Sequence, residues 1–271
     1  MLTNRVHNFH PTEPIQVEVR NPTGEVRVAA SGQGEARVEL TPLRDDRVTR
    51  TAIEQAIVEF GDGRLMVHCD GTGRHIGRVP QIRVSLVVPD GSSVAAHTVS
   101  AGVRCDGRTD SLEVDTVNGD VTVEDVDGEA RVRTTSGDIA VRTVIGDLQV
   151  RTLAGKLRCD RVETLRAESA SGDVTVGELS GSAEISTASG DLHIGRVGQD
   201  DLTIHTASGD VRVGVTPGAV ARLSVNTLSG SVHNDLPVEE SAPADGATVN
   251  IRIRTLSGDI RIGRASAAQP A

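Results

Sequence analysis

Aromatic side chains are almost missing from this sequence. Its 271 residues include no Trp, no Tyr and only two Phe, Phe9 and Phe60. A single-core domain of this length ordinarily draws on rings that bury on the order of 150–250 Å² each, so this interior must be built from Val, Ile, Leu and Ala. The same lack removes the usual platforms for stacking bases or caging quaternary ammonium groups. A basic block is missing too: 28 Lys+Arg against 38 Asp+Glu give a formal net charge of −10. That disfavours nucleic acid as a partner, since phosphate contacts supply most of such affinity. No run approaches the roughly 20 apolar residues that span a bilayer, so no transmembrane segment is expected. The start, MLTNRVHNFHPTEPIQVEV, lacks the basic lead and the apolar stretch of about 7–15 residues that mark a secretory signal. A cytoplasmic location is therefore expected.

Cysteine is scarce as well. Cys69, Cys105 and Cys159 are odd in number and lie 36 and 54 residues apart, which suits neither a disulfide framework nor a zinc ligand set. All three precede Asp. This points to a recurring slot at a strand end, with the thiol serving as a small apolar filler.

Glycine, by contrast, is abundant at 29 residues, and much of it is periodic. TTSGDIAV, SASGDVTV, TASGDLHI, TASGDVRV, TLSGSVHN and TLSGDIRI are variants of one unit, with glycines at 137, 172, 190, 209, 230 and 258. Gly119, Gly146 and Gly155 belong to the same set. Successive spacings from Gly119 are 18, 9, 9, 17, 18, 19, 21 and 28, so the strong motif recurs about every 18 residues. The residues two and four after Gly are apolar in nearly every copy (Val174/Val176, Leu192/Ile194, Val211/Val213, Ile260/Ile262), and the residue between them is polar. This alternation of period two marks a half-buried strand. Three residues before each Gly stands a hydroxyl, as in Thr134, Ser169, Thr187 and Thr206. Each unit therefore reads as strand, tight turn, strand, with Gly supplying positive φ and Ser and Asp bonding to the turn backbone.

One such unit cannot bury its apolar face, but a stack of them can. The fold class expected is all-β: a parallel β-solenoid, or β-helix, with coils of about 18 residues. A series of antiparallel hairpins is the competing arrangement, and the regular spacing favours the solenoid. Residues 1–97 read as an irregular N-terminal β-rich cap with one short helix near Arg44. Residues 98–263 carry the solenoid repeats, with a loop insertion at 235–248, and residues 264–271 form a disordered tail.

Few constellations in the sequence carry chemistry. Gly71-Thr72-Gly73-Arg74-His75-Ile76-Gly77 misses the dinucleotide fingerprint by one residue and lacks a βαβ setting, and Gly155-Lys156 is followed by Leu157 rather than Ser or Thr. Both read as turns. No nucleophile elbow or zincin pair occurs, and His193, His205 and His233 read as solvated strand residues. No catalytic residue, cofactor or metal is therefore expected. At 18-residue spacing Asp120, Asp138, Lys156, Asp173, Asp191, Asp210, Ser231 and Asp259 would line one edge. Either turn N–H groups absorb that charge or a cation bridges neighbouring coils, with Asp173, Asp191 and Asp210 as the best metal positions. Calcium needs 6–8 oxygens, and this edge offers one carboxylate per coil.

The T-x-S-G-D-φ-x-φ units resemble the putative-adhesin family of bacterial β-strand-repeat proteins, a domain family of unknown function. The opening EPIQVEV…GEVRVAAS, followed by a helical insert, is also similar to its actinobacterial members, and the resemblance covers about residues 10–263. It implies a right-handed β-solenoid and brings no functional residues, because the family defines none. The function expected is a non-enzymatic scaffold or adhesin-like interaction protein whose partner is a protein or a cell-envelope component. A cation-stabilised exported surface adhesin is the first alternative. A carbohydrate-active solenoid enzyme is the second, disfavoured because such enzymes stack sugars on rings that this chain lacks.

Overall fold

The computed structural model describes residues 4–32, 34–69, 79–237 and 247–265. Among them are 21 strands and one helix, in two compact units that divide between Val141 and Arg142. No helix among the described residues is long and apolar enough to cross a membrane.

Unit 1 contains β1 (Arg5–Phe9), β2 (Gln16–Ser31), β3 (Ala36–Pro42), α1 (Arg47–Gln55), β4 (Ile57–Gly61), β5 (Arg64–His68) and β6 (Ile82–Pro89). It continues through β7 (Ser93–Thr109), β8 (Ser111–Asp115), β9 (Val121–Val126), β10 (Ala130–Ser136) and the first residues of β11 (Ile139–Ala154). From β7 onward the chain winds as the repeat requires. Val94 lies beside Leu112, Leu112 beside Ala130 and Val103 beside Val121, each pair parallel and 18 residues apart. Each pass of the chain, or rung, thus adds one strand to each of two ladders.

The region before residue 98 is more regular than the sequence suggests. β2 is itself a rung, parallel to β7 from Gln16↔Ser93 to Ala29↔Asp106, and β7 runs unbroken through position 97/98. β5 and β6 make a further rung, parallel to the first and second halves of β2. The rung of β2 therefore lies between β5 with β6 on one side and β7 on the other, out of chain order. The remaining elements of this region are β3, antiparallel to β6; β1, antiparallel to β3; β4, antiparallel to β5; and α1. The Asp46 carboxylate caps α1 by accepting the Thr49 N–H at 2.7 Å. The helical stretch expected from Arg44 onward stops at Gln55, and its continuation is β4. Phe9 and Phe60 meet there, in β1 and β4, with ring centroids 5.2 Å apart. Both aromatic residues thus lie outside the rungs.

Unit 2 holds the rest of β11, β12 (Leu157–Ser171), β13 (Val174–Leu179), β14 (Ala183–Ser189), β15 (Leu192–Val197) and β16 (Asp200–Ser208). β17 (Val211–Val215), β18 (Val220–Ser229), β19 (Val232–Asn234), β20 (Thr248–Ser257) and β21 (Ile260–Arg264) complete it. One ladder sets Leu165 beside Ala183 and Ala183 beside Leu202; the other runs Leu157, Val174, Leu192, Val211. The period-two slots behave as expected. Val176, Ile185, Ile194, Leu202 and Ile204 are fully buried, while His193 and Arg212 between them face solvent.

Rung order changes at the end of unit 2. β20 pairs with both β16 and β18, and β21 with both β17 and β19. The chain therefore lays down the outermost rung, residues 220–234, before it fills the gap beneath with residues 248–264. The 28-residue step from Gly230 to Gly258 reflects this reversal as well as the inserted loop, most of which lies outside the described residues. Of the expected tail, Arg264 ends β21 and donates to the carbonyls of Thr216 (3.1 Å) and Ala219 (2.9 Å). Residues 266–271 lie outside the described residues.

Candidate interaction surfaces

The repeated Thr-x-Ser-Gly-Asp forms one corner of the rungs, and its Thr, Gly and Asp each have a backbone task there. Gly190 has φ 136°, and a Cβ on it would lie 2.2 Å from the Gly172 carbonyl oxygen of the neighbouring rung. Gly209 and Gly258 repeat the clash at 2.1 Å, so the corners stack backbone on backbone. The hydroxyl three residues before Gly closes the turn from inside: Thr187 Oγ1 donates to the Ser189 carbonyl at 3.2 Å, and Thr206 to that of Ser208 at 3.2 Å. Gly146 departs from the set, lying within the continuous strand β11.

The aspartates do form a column, and the turn N–H groups meet it. Asp173 accepts the N–H of Asp191 at 3.1 Å, Asp191 that of Asp210 at 2.9 Å, and Asp210 that of Asp259 at 3.0 Å. Asp259 accepts the N–H and the hydroxyl of Ser231 at 2.8 and 2.9 Å. Those two bonds, the N–H first, hold the Asp259 carboxyl below its ordinary pKa. In unit 1, Asp120 accepts the Asp138 N–H at 2.9 Å. Lys156 Nζ lies 3.7 Å from Asp173. An oxygen of each of these carboxylates is thus already directed at a backbone donor. Among the described residues no group of three or more His, Cys, Asp or Glu is close enough to hold a metal ion.

The remaining expected positions divide clearly. Cys69, Cys105 and Cys159 are buried free thiols. Cys105 and Cys159 occupy inward slots beside Val123 and Val176, and burial pushes each thiol up to about 12. Their role as apolar filler follows. His193 lies between Thr175 and Arg212, His205 between Ser186 and Arg254, and His233 beside Arg261, all on outward positions. Gly155, with φ 132°, is a corner glycine. The 71–77 glycine pattern lies outside the described residues.

Three surface features escape the sequence reading. The first is a groove of about 490 Å³ in unit 1, floored by Ala95 and walled by Glu18, Arg64, His97, Glu113 and Arg131. Its charges are internally satisfied: Glu18 bonds Arg64 and sits 2.8 Å from Arg20, Arg131 is 2.5 Å from Glu129, and His97 is 3.2 Å from Asp115. Arg64 is the chief reason the Glu18 carboxyl lies below its ordinary pKa. The second is the position just after the corner Thr, where Val99, Val117, Leu153, Leu256 and Leu228 are exposed. The apolar residue that follows the corner Thr, off the period-two pattern, is the signal that marks it. The third is the outermost rung itself, where Leu223 and Val225 are only half-buried and Val232 is exposed.

A second column of closely stacked glycines, inside β13, β15 and β17, accompanies the first. A Cβ on Gly195 or Gly214 would come within 2.7 or 2.1 Å of the carbonyl of Gly177 or Gly195. The signal was the Gly that follows Val-Thr-Val, Leu-His-Ile and Val-Arg-Val.

Among solved structures, a putative adhesin from Bacteroides fragilis NCTC 9343 is similar over 96% of this chain and 97% of its own, with 10% identity and a TM-score of 0.50. A putative adhesin from Parabacteroides distasonis ATCC 8503 matches over the same shares, at 15% identity and a TM-score of 0.50. At these identities the likeness is one of fold. No curated protein matches the sequence. The family model that matches is Toastrack DUF4097, over residues 84–263, about two-thirds of the chain and including every Thr-x-Ser-Gly-Asp corner described above. With the resemblance read from those corners borne out, this chain belongs to the Toastrack DUF4097 family.

Proposed function

We propose that this protein is a non-enzymatic scaffold of solenoid-like rungs that presents polar faces and rung edges to a protein or cell-envelope partner. One observation carries the reading: the residues that the repeat specifies most strongly are engaged in building the corner. The hydroxyls bond turn carbonyls, the carboxylates bond the next turn's N–H, and the glycines allow rungs to stack. What varies from rung to rung is the outward slot, with Thr175, His193, Arg212 and Arg261 in register. Variation there, on a constant frame, suits recognition rather than turnover. The adhesin-like role given to the two structural neighbours supports the same direction, and the right-handed winding implied by the family resemblance completes the proposed architecture. We assign the cap role to β1, β3, α1 and β4.

Affinity capture from the native organism tests the reading. A partner whose binding is lost when Arg212 and Arg261 are changed to Glu supports it. Turnover in a broad hydrolase and lyase screen, abolished by changing one His or Asp, would overturn it. Cell fractionation checks the cytoplasmic location expected from the sequence.

A further inference from the structure

We infer that the outermost rung of unit 2 is a self-association surface, and that two copies of this chain pair through it, β18 against β18, about a twofold axis. β18 pairs with β20 on one side, and no described strand pairs with its other edge. That edge lacks the devices that ordinarily prevent strand addition, such as proline, lysine, a bulge or short length. It runs for ten residues, VARLSVNTLS, with Arg222 as its one charged side chain. Ala221, Leu223 and Val225 stand in register above Val249, Ile251 and Ile253. The last three are fully buried, whereas the three above them are only half-buried. Among the described residues the interior of the stack therefore ends on an aliphatic layer with no strand above it, flanked near Ala221 and Leu223 by Leu236 and Pro237. At its rim Leu228, 84% exposed, lies beside Leu256, 58% exposed.

A second copy fits this edge better than an unrelated strand, because the edge is complementary to itself. Antiparallel pairing centred on Ser224 keeps inward slots inward and sets Leu223 opposite the partner's Val225. It also sets Arg222 opposite the partner's Asn226, so like charges do not meet, as opposed positions in a sheet require. An isologous contact of this kind closes at two copies. The ladders at the start of unit 1 end instead in the five-residue strands β1 and β4, each antiparallel to its neighbour, which gives open-ended stacking no matching parallel edge. The surface is small. Ten residues of β18 and three of β19 fall below the roughly 20–30 per side of a standard interface, so the dimer is weak, with Kd on the order of micromolar. The inference is independent of the scaffold reading, which a monomer would leave intact.

Sedimentation equilibrium of the full chain, from about 1 to 200 µM to bracket such a Kd, tests it. The expected result is a reversible monomer–dimer equilibrium that weakens at least about tenfold, or by about 1.4 kcal/mol, in Val225→Lys and in Leu228→Asp. The Leu228 side chain is so exposed that its replacement leaves folding intact, which keeps the test valid should Val225→Lys unfold. Ser224→Cys is expected to form a disulfide-linked dimer on mild oxidation, while the buried native thiols do not. A monomer throughout, open-ended oligomers, or a dimer indifferent to both substitutions would each overturn the inference.

Discussion

Replacing Gly190 by Ala tests the corner stack directly. The added methyl would lie 2.2 Å from the Gly172 carbonyl oxygen, where ordinary contact is 3.4 Å or more, at a residue with φ 136°. The dihedral alone costs about 1–3 kcal/mol. Relieving the overlap means separating two rungs by about 1 Å at the corner, which strains the Gly172 N–H bond to Ser189 (3.0 Å) and the Val174 N–H bond to Asp191 (2.9 Å). At about 0.5–1.5 kcal/mol for each bond, the total loss is roughly 2–6 kcal/mol. Gly218→Ala is the control. Its φ of 88° carries a dihedral penalty of about 1–2 kcal/mol, but nothing lies within 4 Å of the new Cβ. The difference, about 1–4 kcal/mol, corresponds to roughly 2–8 °C in Tm for a cooperative chain of this size. Without Trp or Tyr, the assay is differential scanning calorimetry with far-UV circular dichroism. If the units melt separately, only the transition of unit 2 should move. Equal shifts for the two variants would refute the stacked corner.

Further expectations concern the core, the corner hydroxyls, the thiols and acid. Ile194→Ala removes a fully buried inward side chain and should cost about 2–5 kcal/mol in denaturant titrations, whereas Arg212→Ala on the outward slot should stay within about 0.5 kcal/mol. Ser169 occupies the hydroxyl slot of its corner, yet its buried Oγ has no partner. Ser169→Thr, by restoring the residue whose hydroxyl bonds the turn in sister rungs, should raise stability by a few tenths to about 1 kcal/mol. Thiol-reagent titration at pH 8 should label none of the three cysteines until denaturant is added, since burial holds Cys105 and Cys159 at about 12; rapid native labelling would contradict the inward slots. His7 is shifted down by burial and then by Arg5, and Asp259 by its bonds from Ser231. The unfolded chain binds both protons more readily, so stability must fall with pH, first below about 6.5 through His7 and again below about 3.8 through Asp259. Asp259→Asn should flatten the second limb of a Tm-against-pH curve, and an unchanged limb would remove its assignment.

The corner and the inward slots were legible because both are local. Val174, Val176, Leu192 and Ile194 declare their faces by alternation, and the glycines declare a turn that L-residues resist. The aspartate column was legible as a column, and its chemistry became clear only once each carboxylate was seen to meet the next rung's N–H. What stayed hidden was neighbour choice. Nothing in the alternation of Val220–Ser229 says whether it lies on β16 or on β20, because both present the same aliphatic slots. The rung character of β2 was obscured for the same reason: its partners are β5, β6 and β7, all of which lie beyond a helix. The side-chain pairs on the outer faces, such as Arg166 with Glu184 at 3.1 Å, depend on that register too. They are exposed ion pairs of the kind worth at most about 1 kcal/mol, so the sequence is under little pressure to spell them out.

The displaced rungs near both ends of the chain bear on how the protein can be made. A ribosome delivers β16 and β17, then β18 and β19, and only afterwards β20 and β21. The nascent rung of residues 220–234 carries the aliphatic slots that β16 and β17 accept, so it can dock on them early and must later be evicted. At the other end β2 emerges before either neighbour exists. The chain therefore cannot zip up in order of synthesis. Its last rung to be made has to take its place between two that were made before it.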